Sequence, residues 1–560
     1  MPNSGEMRLR QLILALIALA GIWAGSTIQR SHHAPARALS SGPPPPDFPE
    51  RKLVHVAGLK RPATATPIVH ATPVAPASPR RHTVTAVPAH RVRRVEARPA
   101  QTHAQAPEPG SQTKLIPDDS RSYAETPPPP LEPLSITDVQ VTALTSSSAR
   151  VSWRTNVPAQ AQTAFGFDGP TIWAQPSGDS LVEHVSVLSG LEFSTTYNVY
   201  LHAIDEWNRA QTATVTVTTG PMLNASSART SGSQILVDEQ PFFPTAVWEQ
   251  CSDMFGSNID DGINLFMGDG CAEDTDLPAR LDGRAYAIVN AENAKEADGR
   301  GVVGWYFPDE WDAFLQGNVK RADLEKDIPQ PRPGRISFLT LTNHFYSRAE
   351  PLPQGKGMYP VLFSIPDVLG FDLYPLQVWC RPAFGDVLDA QQELHNVSGG
   401  KPTFQWIETA RMEHPCRRHP ELDPTPATVR AETWLSIAGG ANAVGYFPNR
   451  WDAAIGDEIR RTDREIKALT QALLAPPTNV TSDNGAVRVS ARALNGALYV
   501  IAVNTTETTV QARISVDGIA GRSATVLGGA GPALGADDQG FSDNFGPLAA
   551  RVYIIPPPGW

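Results

Sequence analysis

A chain of 560 residues, 41% of them hydrophobic, is too long for one core and divides into about three or four domains. Its formal net charge of -11 is split: residues 1–130 carry 16 Lys+Arg against 8 Asp+Glu, whereas the rest carries 31 against 50. An acidic folded part excludes a phosphate-backbone partner, so nucleic acid is not expected.

In chain order, residues 1–30 read as an export signal or N-terminal membrane anchor. Arg8 and Arg10 precede the apolar run Leu12 to Trp23, and Ala24, Gly25 and Ser26 offer a cleavage site. A run of this length suits a signal peptide better than a full membrane span of about 20 residues, and a retained anchor stays open. Residues 31–130 hold most of the 21 prolines found before Leu131, including the runs Pro43 to Pro46 and Pro127 to Pro130. Such a segment buries too little apolar surface to offset chain ordering and reads as a disordered linker. Its Arg and His offer a contact to a membrane or cell wall.

Residues 131–220 change to short alternating segments (Val139 to Leu144, Ala149 to Arg154, His184 to Leu188, Tyr197 to Ala203, Thr212 to Thr218) separated by turn residues, the texture of an antiparallel β-sandwich. SARVSWRT (Ser148 to Thr155) and LSGLEFSTTYNVYLHAID (Leu188 to Asp205) resemble a fibronectin type III module, with Trp153, Leu191 and Tyr197 at its core positions. Such modules are spacers or docking units, so no catalytic residue is placed there. The module should have its own core, and removal of residues 1–220 should leave the rest folded.

Residues 221–476 alternate apolar strands with polar or helical stretches, as βα units do. Eight strands are predicted: Phe243 to Val247, Gly262 to Met267, Ala285 to Val289, Val302 to Phe307, Ile336 to Leu341, Val368 to Leu373, Thr403 to Ile407 and Ala443 to Phe447. Together they predict a (β/α)8 TIM barrel, the α/β centre of a multidomain chain. In a barrel, chemistry sits where strands run into βα loops. There the chain carries Trp248-Glu249, Asn290, Asp309-Glu310, His344 and Tyr346, Asp372 and Tyr374, Glu408 and Trp451. Carboxylates bordered by aromatic rings suit a carbohydrate, because rings stack on pyranose faces while carboxylates bond hydroxyls and move protons. Trp406, within the seventh strand, is a further candidate contact.

The four cysteines allow three pairings. Cys251 and Cys271 follow strands one and two, and Cys380 and Cys416 follow strands six and seven, so the strand order selects 251 with 271 and 380 with 416. His414, Cys416 and His419 do not have a standard zinc spacing; neither metal nor cofactor is expected. Residues 477–560, with VRVSARA, LYVIAVN, VQARISV and RVYIIP, predict a C-terminal β-sandwich.

Four segments resemble clan A glycoside hydrolases: ILVDEQPFFPTAVW (Ile235 to Trp248), GWYFPDEWD (Gly304 to Asp312), VLGFDLYPL (Val368 to Leu376) and PTFQWIETA (Pro402 to Ala410). The resemblance implies Glu310 as acid/base, Glu408 as nucleophile and Tyr374 as a donor to that nucleophile. Two features depart from the pattern: Asp309 stands where many members have Asn, and strand eight ends in Tyr446-Phe447 without a Trp. The function implied is an exported retaining glycosidase acting on an extracellular poly- or oligosaccharide. The alternative is a non-catalytic carbohydrate-binding or adhesion protein on a degenerate barrel. Oligomeric state is not legible.

Overall fold

The computed structural model describes residues 132–560 apart from 225, 295–298, 316, 327, 329–331, 413–415, 417–418 and 530. The expected export segment, the linker and His414 lie outside the described residues. Among the described residues, no helix is long and apolar enough to cross a membrane.

Six antiparallel strands come first: β1 (Ile136–Ala143), β2 (Ala149–Gly166), β3 (Ile172–Trp173), β4 (Leu181–Leu188), β5 (Thr196–Asp205) and β6 (Ala210–Thr218). β2 is 18 residues long and breaks register between Arg154 and Ala159. Its first half pairs β1 and β4 and its second half pairs β5 and β3, so one strand joins both parts of the sheet. Trp153, Leu191 and Tyr197 are buried together with Val151, Val199 and Leu201. The Tyr197 hydroxyl accepts from the Glu192 N–H at 2.9 Å, which leaves no buried polar group wanting at that corner.

A small antiparallel sheet, β7 (Ala228–Ser231), β8 (Gln234–Val237) and β9 (Gln240–Phe242), leads into the barrel. The barrel strands are β10 (Thr245–Gln250), β11 (Leu265–Asp269), β12 (Tyr286–Asn290), β13 (Val302–Tyr306), β14 (Ile336–Thr342), β15 (Val368–Asp372), β16 (Thr403–Glu408) and β17 (Ala443–Phe447). All are parallel, and β17 closes onto β10 through Thr245↔Val444, Ala246↔Gly445 and Val247↔Tyr446. Every expected strand is present. The second begins three residues late because Gly262, at φ 112°, still belongs to a turn, and the Asn264 side chain accepts from the Thr245 N–H.

The period-two pattern gives each strand two faces. Met267, Ile288, Tyr306, Phe338, Phe404 and Trp406 share the core inside the barrel. Phe266, Val289, Trp305, Leu339, Phe371 and Ile407 pack outward with the helices. Two glycines make room for the largest inner rings. A Cβ at Gly370 would meet the Phe404 ring at 2.1 Å, and one at Gly445 the Trp406 ring at 2.3 Å. Helices are unequal around the ring: those before β15 span four to six residues, whereas α1 (Phe384–Val397), α2 (Pro426–Ala438) and α3 (Ala453–Leu473) span 14, 13 and 21.

Nine short strands follow: β18 (Pro477–Thr478), β19 (Val480–Ser482), β20 (Val487–Leu494), β21 (Ala497–Asn504), β22 (Val510–Val516), β23 (Ser523–Val526), β24 (Leu534–Gly535), β25 (Gly540–Phe545) and β26 (Ala550–Ile555). They form two antiparallel sheets over one core that includes Val500, Ile514, Phe541 and Tyr553.

The independence expected of the first module is not what the side chains show. The Thr171 hydroxyl, buried, donates to the Ala468 carbonyl on α3 at 2.9 Å, and Arg464 bonds Asp168 while lying over Phe167. Trp560 packs against Trp173, and its indole N–H donates to Gln162 at 2.8 Å. Removing residues 1–220 would uncover these groups, so the barrel is held from both flanks.

Candidate active site at the mouth of the barrel

Both disulfides join adjacent loops at the strand ends: Cys251 with Cys271 (Cα–Cα 5.1 Å) and Cys380 with Cys416 (5.2 Å). They staple the loops after β10 and β11 and those after β15 and β16. Two of the site residues between them adopt backbone conformations that side chains rarely take, Glu249 at φ 40° and Glu310 at φ 45°. Left-handed residues of this kind re-aim a side chain at a strand end, at a cost of about 1–3 kcal/mol that the surrounding structure must offset.

Three carboxylates from β13 and β15 act on one another. Asp309 is raised well above the usual carboxylate range by burial, then by Glu310 and Glu249. Asp372 is raised well above it by burial, then by Asp309 and Glu310. Like charges that act on one another disfavour the fully ionised group. Asp309 is exposed to water, and Glu310 and Asp372 are half-buried beside it. The Tyr374 hydroxyl donates to Asp372 at 2.7 Å, which offsets part of the rise at that acid.

A second acidic step adjoins the first. Glu249, the penultimate residue of β10, is pushed up to about 7 by burial and by Asp274. Asp274, raised by burial, accepts from the Asp269 N–H at 2.8 Å, the Asn290 N–H at 2.6 Å and the Tyr306 hydroxyl at 3.2 Å. Trp248 meets the Tyr306 ring at 4.7 Å edge-on, and Tyr374 stacks on Phe447 at 6.0 Å. Aromatic rings beside several carboxylates are the composition expected of a sugar site.

The mouth thus brings together Trp248, Glu249, Asp309, Glu310, Asp372 and Tyr374. Other expected site residues are engaged elsewhere. Glu408 is 0% exposed; its two oxygens accept from the Leu376 and Gln377 N–H groups, each at 2.8 Å, and the buried Glu432 of α2 acts on it. A carboxylate so enclosed does not present itself to a substrate, which departs from the nucleophile expected at this position, and its neighbour is Leu376, not the Tyr374 hydroxyl. Trp406 is 2% exposed and donates to Thr340 at 3.1 Å, so it belongs to the barrel core. Tyr346 is 1% exposed and donates to Asp386 on α1. Trp451 donates to Asp261 at 2.9 Å, His344 meets the Glu350 carbonyl, and the Asn290 side chain caps the turn that follows it.

Asp274 and Tyr306 were not expected. Asp274 sits in an acid-rich loop beside Asp276, a solvated surface group, and spacing does not separate them. Tyr306 carried a usable signal: a tyrosine at an inward position at the end of a strand needs a partner for its hydroxyl. Among the described residues, no group of His, Cys, Asp and Glu is arranged to hold a metal ion.

No protein family matches the chain, and no curated protein does. Solved structures do. A provisional α-galactosidase/melibiase from Bacteroides fragilis NCTC 9343 is 9% identical at TM-score 0.39, covering 76% of this chain and 98% of that one. An Anoxybacillus α-amylase is 11% identical at 0.34 (55% and 89%), and a Ruminococcus gnavus β-glucuronidase 10% identical at 0.32 (59% and 67%). At this level of likeness the chemistry has to be argued from the side chains alone.

Proposed function

We propose that this chain is a glycoside hydrolase whose reaction takes place at Asp309, Glu310 and Asp372. The observation that carries the reading is the gathering of these carboxylates by two strand ends of a closed barrel, beside Tyr306 and Tyr374. Hydrolysis of a glycosidic bond needs one carboxyl group that holds a proton and one that does not. In this reading Asp372, which accepts from the Tyr374 hydroxyl, is the carboxylate that loses its proton, and Glu310 is the acid that keeps it. Asp372 attacks the anomeric carbon while Glu310, beside Asp309, protonates the leaving oxygen. The same acid then activates water, and two inversions give retention.

The two disulfides support an extracellular or cell-surface setting, where such bonds persist. We read the first sheet as a fibronectin type III-like module, supported by the buried Trp153 and the Tyr197 corner, and the last two sheets as a β-sandwich. The withdrawal of Glu408 favours a second reading, a barrel that binds glycan without cleaving it. A glycan panel separates the two. Release of reducing ends by the wild type, lost in Asp372→Asn and Glu310→Gln, supports hydrolysis. Retention of a glycan with no release by any form supports binding alone.

A further inference from the structure

The scheme above leaves unused a pair of buried acids, Glu408 at 0% and Glu432 at 1% exposure. The two Glu408 oxygens meet two consecutive backbone N–H groups, Leu376 and Gln377, an arrangement that favours a charged carboxylate. Both Glu432 oxygens are buried and meet no hydrogen-bond donor among the described residues, and the acid that acts on them is Glu408, so the two carboxyls are compatible only with a proton between them. The nearby cation of the same helix, Arg430, is committed to Glu458, Glu465 and the Ala550 carbonyl. The turn gripped by Glu408 also carries the site. The Tyr374 carbonyl accepts from the Val378 and Trp379 N–H groups, and Gln377 bonds the Leu422 carbonyl and the Met412 N–H.

We propose that Glu408 and Glu432 share one proton and act as a positioning device, locking the Tyr374–Gln377 turn so that the Tyr374 hydroxyl and Asp372 hold their places at the mouth. The inference rests on the reading of Asp372 as a working carboxylate. Glu408 is raised by burial to about 7 and Glu432 further, so as pH rises Glu432 keeps its proton after Glu408 has lost its own. Replacement of Glu408 by glutamine sets an amide N–H2 against one of the two backbone donors. Replacement of Glu432 by glutamine keeps a neutral donor towards Glu408.

The test uses the full chain and three measurements: amide hydrogen exchange at Leu376 and Gln377, infrared absorption of protonated carboxyls at neutral pH, and turnover on a substrate identified in the glycan panel. In Glu408→Gln both amides should exchange at least about tenfold faster, and kcat should fall about tenfold with KM within about twofold, the signature of a displaced group. Glu432→Gln should lose one protonated-carboxyl component and keep amide protection and kcat within about twofold. Unchanged amide exchange in Glu408→Gln overturns the pair, whatever Asp372 does, and so does Glu432→Gln with every protonated-carboxyl component intact. If Glu408→Gln does not fold, the infrared and exchange results for Glu432→Gln decide alone. Full activity of Asp372→Asn alongside fast amides in Glu408→Gln would instead overturn the functional reading and leave the clamp standing.

Discussion

The end of β16 and the ends of β13 and β15 each gather acids whose protons are held too tightly, and the two places differ in what satisfies them. At β16, Glu408 has a backbone N–H for each oxygen and a second acid, Glu432, sealed against it. At β13 and β15, Asp309, Glu310 and Asp372 act on one another with Asp309 exposed to water, and the Tyr374 hydroxyl bonds Asp372. Raised carboxyl affinity for protons therefore has two meanings in one barrel. A sealed pair is structural; an exposed and crowded group is where a proton can be passed to a ligand.

The largest effect that would break the comparison is expected at the open group. Asp372→Asn should lower turnover by about 10³-fold or more while leaving the thermal midpoint near that of the wild type. Glu310→Gln should cost about 10²-fold on poor leaving groups and far less on activated aryl glycosides, because only the former need the proton. Steady-state rates on a matched pair of substrates check both.

Tyr374→Phe sharpens the assignment of charge, with an expected loss of about tenfold. The Tyr374 hydroxyl lowers the proton affinity of Asp372, so its removal raises it. The acid limb of the pH–rate profile should then move to higher pH. A limb that stays in place would detach Tyr374 from the ionised form.

The sealed pair makes the opposite kind of prediction, about stability. Glu408 rises from 4.5 to about 7 on folding, and Glu432 rises further. Between those values the folded chain holds protons that the unfolded chain has released, so this contribution to stability falls as pH rises through that window. Glu432→Gln removes its own share. Its urea midpoint should fall less between pH 5 and pH 8 than that of the wild type.

The smallest effects belong to groups turned away from the mouth. Trp451→Phe and His344→Ala should change KM by less than about twofold, whereas Trp248→Ala, which removes a wall of the mouth, should raise it about tenfold.

Much of this was legible in the sequence. The eight apolar strands and their parallel order are dictated by a period-two pattern broken by turn chemistry, and that order fixed both disulfides. Asp309, Glu310, Asp372 and Tyr374 were placed at strand ends by the same logic. Illegible were the facings of side chains beyond those ends. Glu408 ends a strand as Asp372 does, but its fate depends on Glu432, 24 residues on, and on two N–H groups of another loop. Tyr346 and Trp451 are aromatic residues on site loops whose partners, Asp386 and Asp261, are distant acids that no local motif announces. The contact between the first module and α3 was hidden for the same reason, since Thr171 and Ala468 are 297 residues apart.

The most direct test compares Asp372→Asn and Glu408→Gln side by side on one substrate under saturating conditions. The account predicts a loss of about 10³-fold or more for the first and about tenfold for the second. A Glu408→Gln enzyme that is inactive with its Leu376 and Gln377 amides still protected, beside an Asp372→Asn enzyme that turns over normally, would contradict it.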